Sequence, residues 1–221
     1  MHCHIMVYVR IVLTTLVTIT CLLGDNFVEL TQHPLLKALT DNATHAAIGA
    51  LTGIAFMVQF YDRTSNIFGW LLIFICFSVS SLIDLDHFVE ARSWSLEDAT
   101  NLTRRPFLHC SSIMFLLLLF YILTACLNYF KISLFFGVLL CAFMTHHTRD
   151  AVRRGYWFCP LGNTQRIPQL SYIILTILTP YIFFYIHGIC RSSPVQYFLG
   201  QYIRLHDNYR VGSGGYRYMS V

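Results

Sequence analysis

Charge is the scarcest property of this chain. Only 12% of its 221 residues are Asp, Glu, Lys or Arg, where an ordinary soluble domain carries about 25%. A chain so short of polar surface cannot coat itself for water, which excludes a soluble enzyme or scaffold. No Cys-x-x-Cys pair occurs among the eight cysteines, so neither a zinc ribbon nor a thioredoxin-type redox motif is available. Cys21, Cys76, Cys126, Cys141 and Cys190 lie in or beside apolar runs, where they act as small hydrophobes. No Walker or GxGxxG loop and no internal repeat is present. The formal charge of +4 is small and dispersed, which argues against nucleic acid as a partner.

Long hydrophobic runs are abundant. The chain is 56% hydrophobic with a mean hydropathy of +0.56, and a helix needs about 17–25 apolar residues to cross a bilayer. Six runs qualify or nearly so: Ile5 to Leu23, Ala43 to Phe60, Ile67 to Ile83, Ser111 to Leu127, Ile132 to Thr145 and Leu170 to Cys190. They are continuous rather than alternating, which selects helices over a barrel. The expected fold is all-α, a multi-pass integral membrane bundle of five or six spans with the lipid bilayer as its surroundings. Residues 1–191 form one domain in this reading, and 192–221 read as a disordered or loosely attached tail. The fifth run is short and becomes long enough only if its helix continues through His146 to Asp150. The first has the charged start of a signal peptide but no small-x-small cleavage pattern after Gly24 and Asp25, so it is read as a retained helix.

Five polar clusters interrupt the runs. They are Asn42 to His45, Asp84 to His87, Arg104 to His109, His146 to Asp150, and Arg153 to Gly155. Alternate threading puts residues 24–42, 84–110 and 146–169 on one side, and every cluster falls there. Residues 61–66, 128–131 and the tail make a plain opposite side. Eight of the fifteen Lys and Arg lie on the clustered side, which leans it toward the cytoplasm. The sequons at Asn42 and Asn101 lie on the same side and pull the other way.

Histidine and carboxylate are costly beside hydrocarbon, so their gathering at one face marks a functional site. Each cluster alone is a solvated or arginine-paired boundary; four together point to a shared polar or metal site. His146 and Asp150, four apart, share a helix face and offer nitrogen and oxygen ligands to zinc or a similar divalent ion. His147 points off that face and is read as support. Asp84 and His87 are three apart, and Asp86 joins them if the helix end frays. His45 and His109, at the starts of the second and fourth runs, complete the ring. The expected ligands are His45, Asp84, His109, His146 and Asp150. Among Arg104, Arg105, Arg153 and Arg154, two read as headgroup anchors; Arg105 is expected to pair with a site carboxylate or a substrate phosphate. Polar groups sit at helix ends, without the interrupted mid-bilayer helices of a transporter.

These clusters are also where resemblances appear. Through Asp41 to Gly49, Ile83 to Phe88, Ala91 to Ser93, Arg104 to Cys110, His146 to Asp150 and Gly155 to Pro160, the chain resembles the vertebrate transmembrane protein 267 family, whose name implies no activity. More remotely, the order His45; Asp84, Asp86 and His87; Arg105 and His109; His146 and Asp150; Gly155 and Pro160 resembles the bacterial YdjM-type inner-membrane proteins, a family of metal-dependent hydrolases. Pro106 stands where that pattern has Gly, and Leu108 and Cys110 where it has Thr and Ser. The resemblance implies a metal-dependent hydrolase acting on a membrane-associated phosphoester, with Asp86 and Arg105 in catalytic roles. The alternative is a non-catalytic membrane protein in which the same cluster knits helix ends together.

Overall fold

The computed structural model describes residues 2–192. The tail expected beyond residue 191 lies almost wholly outside them. Six long helices carry the fold: α1 (His2–Leu30), α2 (Pro34–Val58), α3 (Asn66–Leu82), α6 (Ser112–Cys126), α7 (Phe130–Arg154) and α8 (Gln169–Arg191). Two short helices, α4 (Asp86–Ala91) and α5 (Leu96–Thr100), and a small antiparallel hairpin, β1 (Trp157–Phe158) with β2 (Gly162–Asn163), fill the connections at one end.

Local chemistry explains several boundaries. Pro34 opens α2 in its first turn, where a missing N–H costs nothing. Ser65 caps α3 by accepting from the Phe68 amide. Gly155 ends α7 at φ +69°, and a Cβ there would collide with the Thr164 carbonyl, so only glycine lets the chain turn into the hairpin.

Among the described residues, four helical segments are long and apolar enough to cross a membrane: His4–Leu30, Asn66–Ala91, Phe130–Arg154 and Gln169–Arg191. The helix Ser112–Cys126 is apolar but shorter. The expectation of five or six spans therefore meets four by length and composition. α2 holds Lys37, Asp41, His45 and many small residues, and packs between α1, α3, α7 and α8 rather than facing lipid broadly. Small residues permit this close approach. At Gly49, for example, a Cβ would strike Ser80 of α3.

Residues 24–42 were expected as a connection, yet most are helical. α1 runs on to Leu30, and α2 begins nine residues before Ala43. The reason is electrostatic: these extensions carry Asp25 and Asp41 to Arg149, 2.8 Å from each. α1 belongs to the bundle, with Val17 and Cys21 packed against Ile48 and Tyr172. At the other end, Phe56, Phe60, Tyr121, Leu134 and Val138 form the apolar core. α7 does continue through Asp150, as its length required.

Candidate metal centre

α3 ends before Asp84, and a 3-10 turn over Ile83–Leu85 leads into α4. This break changes the angular relation between the two carboxylates and lets both reach one imidazole. His109 sits in a second 3-10 turn, Phe107–His109, just ahead of α6. Its Nε2 lies 3.3 Å from Asp84 Oδ1 and 3.3 Å from Asp150 Oδ2. Its Nδ1 lies 3.2 Å from Asp86 Oδ1.

His146 enters from α7 fully buried. Its Nδ1 donates to the Ser80 carbonyl at 2.9 Å, so in the neutral ring Nε2 carries the free lone pair. That atom lies 3.3 Å from His109 Nε2, 3.5 Å from Asp84 Oδ1 and 3.6 Å from Asp150 Oδ2. Asp84, His109, His146 and Asp150 thus offer two nitrogens and two oxygens, all within 4.8 Å of one another. Bonds of about 2.0–2.1 Å to a tetrahedral ion imply ligand separations of about 3.3–3.4 Å. The five separations given above match that spacing closely. This His/Asp group could bind a metal ion.

Protonation supports the fit. Burial opposes charge on His109, but its contacts with Asp150, Asp84 and Asp86 outweigh it and push its pKa up to about 11. Three carboxylates around one imidazole demand a positive charge. A proton on His109 supplies it where an ion could instead.

The remaining expected residues occupy the surroundings. Asp86 stands on the far side of His109 from the group of four and also accepts from the Leu108 amide at 2.7 Å, an arrangement that orients a ligating imidazole. His45 stacks on His146 with ring centroids 3.8 Å apart. Its Nε2 meets the other oxygen of Asp150 at 3.6 Å, outside the group of four, and neither ring nitrogen has a hydrogen-bond partner. Arg105 donates to the carbonyls of Arg154 and Gly155 at the end of α7. His147 takes the supporting place expected of it, bonding Leu108 O and Ser111 Oγ at 2.9 and 3.1 Å and so steadying the loop that carries His109. Ser111, one residue beyond Cys110, provides a buried hydroxyl.

Asp25 and Asp41 were not anticipated. Asp41 pairs with Arg149 and Arg153, and Arg153 in turn reaches Asp150 at 3.0 Å. A signal existed for Asp41, because it precedes His45 by four residues and would share its helix face had α2 been extended backward. A cavity of about 110 Å³ opens above the cluster, lined by Asp84, His109, Asp150, Arg105, Arg153 and Arg154 among others.

Fold and site together define a helical integral membrane protein with a histidine–aspartate cluster at one end of its bundle. The chain belongs to the YdjM inner membrane protein family, whose sequence model matches residues 40–203. It is 36% identical over 174 residues to transmembrane protein 267 of Mus musculus, covering 74% of this chain and 76% of the mouse protein. Transmembrane protein 267 of Bos taurus is 33% identical over 187 residues, 81% of this chain and 80% of its own. No solved structure matches significantly.

Proposed function

We propose that this protein is a membrane-embedded, metal-dependent hydrolase acting on a phosphoester at the membrane face. The reading rests on the spacing of Asp84, His109, His146 and Asp150. Two imidazoles and two carboxylates favour zinc or a similar divalent ion. Such an ion supplies Lewis acidity and a nucleophile near neutral pH. Asp86 holds His109 in register through Nδ1. His45 and Arg153 face the outer oxygen of Asp150 and fix its orientation. Arg154, whose side chain makes no ion pair among the described residues, reaches the cavity and attracts a phosphoryl group; Arg105 secures the wall behind it.

One observation favours a structural role instead. Arg105 and Arg153 already spend their guanidinium donors on carbonyls and carboxylates of the protein itself, which leaves fewer to meet a substrate. The open cavity beside the cluster tips the balance toward catalysis, because a closed structural site has no room for a reacting group.

Metal analysis of the detergent-purified protein, paired with phosphodiester and phosphomonoester turnover, tests the proposal. About one divalent ion per chain, lost in His146→Ala, together with turnover lost in the same variant, is expected. Metal without turnover of either ester class leaves the structural role; no stoichiometric metal sinks the hydrolase reading and leaves a cluster held together by the proton on His109.

A further inference from the structure

The opposite end of the bundle is not featureless. A cavity of about 780 Å³ opens there between the ends of α2 and α8, the start of α7 and the turn at Tyr61–Arg63. It lies about 24 Å from the cluster, the rise along α7 from Phe130 to His146.

His187 of α8 lines this cavity and is 2% exposed. Neither of its ring nitrogens has a hydrogen-bond partner. Its flanks are apolar: Phe60 and Phe130 stand edge-on with centroids 5.0 and 5.9 Å away. A polar ring buried without a partner is destabilising unless something satisfies it. Around it the cavity presents Arg63 and Arg191 against the single carboxylate of Asp62. Neither arginine makes an ion pair among the described residues; Arg191 rests on the Phe130 ring, 5.8 Å from its centroid.

We propose that this cavity is an anion site that takes a phosphate group, with Arg63 and Arg191 as its charge partners and His187 as a neutral donor from below. Paired guanidiniums match phosphate oxygens in number and geometry. The aromatic walls, including the half-exposed Phe184, suit the glycerol and upper chain of a phospholipid whose headgroup enters the cavity. Free phosphate offers the same charge without that apolar complement. The assignment does not depend on an ion at the other end.

Binding of fluorescent phosphatidic acid to the full-length protein in detergent tests it, with inorganic phosphate as second probe and competitor. Saturable binding, unchanged by EDTA, is expected. It weakens by about tenfold or more in Arg63→Gln/Arg191→Gln; His187→Phe, which keeps the apolar cage filled, weakens it too. Phosphate that binds at the same residues while the lipid does not identifies a soluble source. Arg63→Gln alone, on an exposed turn, serves where the double variant does not fold. The proposal is overturned if wild type binds neither probe, or if monodisperse variants bind both as wild type does.

Discussion

His146 Nδ1 lies 2.9 Å from the carbonyl oxygen of Ser80, and this one contact sets the chemistry of the cluster. It ties α7 to the last turns of α3, and it holds a proton on Nδ1, so that Nε2 is the atom turned toward Asp84, His109 and Asp150. The partner is a backbone atom, so the tautomer is fixed by helix packing rather than by a replaceable side chain.

Asp86 touches His109 from the face turned away from the other ligands. Asp86→Asn keeps its shape and its bond from the Leu108 amide but weakens the hold on His109. Zinc affinity is expected to fall about 10–100-fold, as read by competition with a chromophoric chelator. Unchanged affinity removes Asp86 from the site.

Proton and metal compete for His109. Its pKa in the folded, metal-free protein is about 11 against an ordinary 6.5, so the charged form is the stabilising one. That contribution is complete below about pH 6.5 and is lost as pH rises toward 11. In EDTA-treated protein, the Tm gap between wild type and His109→Gln should narrow from pH 7 to pH 11. Metal affinity should run the other way and rise with pH, because binding displaces this proton. A gap that widens with pH contradicts the assignment.

Arg149 is 3% exposed and joins Asp25 of α1 to Asp41 of α2. Arg149→Met leaves Asp25 without its ion pair, at a cost of about 3 kcal/mol. Arg153 is half exposed, and Arg153→Met should cost less than about 1 kcal/mol in global stability. Denaturant titration in detergent micelles compares the two; equal costs refute the ranking.

Orientation can be read at the two sequons, where Asn101 is exposed at the end of α5 and Asn42 is partly buried within α2. Asn101 is the more accessible glycan acceptor. With the clustered face in the cytosol, endoglycosidase treatment of the cell-expressed protein should leave its mobility unchanged. A shift abolished by Asn101→Gln would instead place the cluster in the lumen or outside the cell.

The sequence alone determined that this is a helical membrane protein and that a cluster of histidines and aspartates gathers at one end. Hydrocarbon demands long apolar helices, and it pushes ionisable groups toward their boundaries. The spacing of His146 and Asp150 was equally legible, since a 3.6-residue turn puts them on one face. Tertiary structure decided the rest. It turned residues read as a loop into helix, because Asp25 and Asp41 are needed beside Arg149, a residue more than a hundred positions away. It separated His45 and Asp86 from the group of four, because stacking on His146 and the break at Ile83–Leu85 depend on how three helices meet. It also opened the cavity around His187, a residue whose surroundings come from α2 and α7 and leave no trace in its own neighbours along the chain.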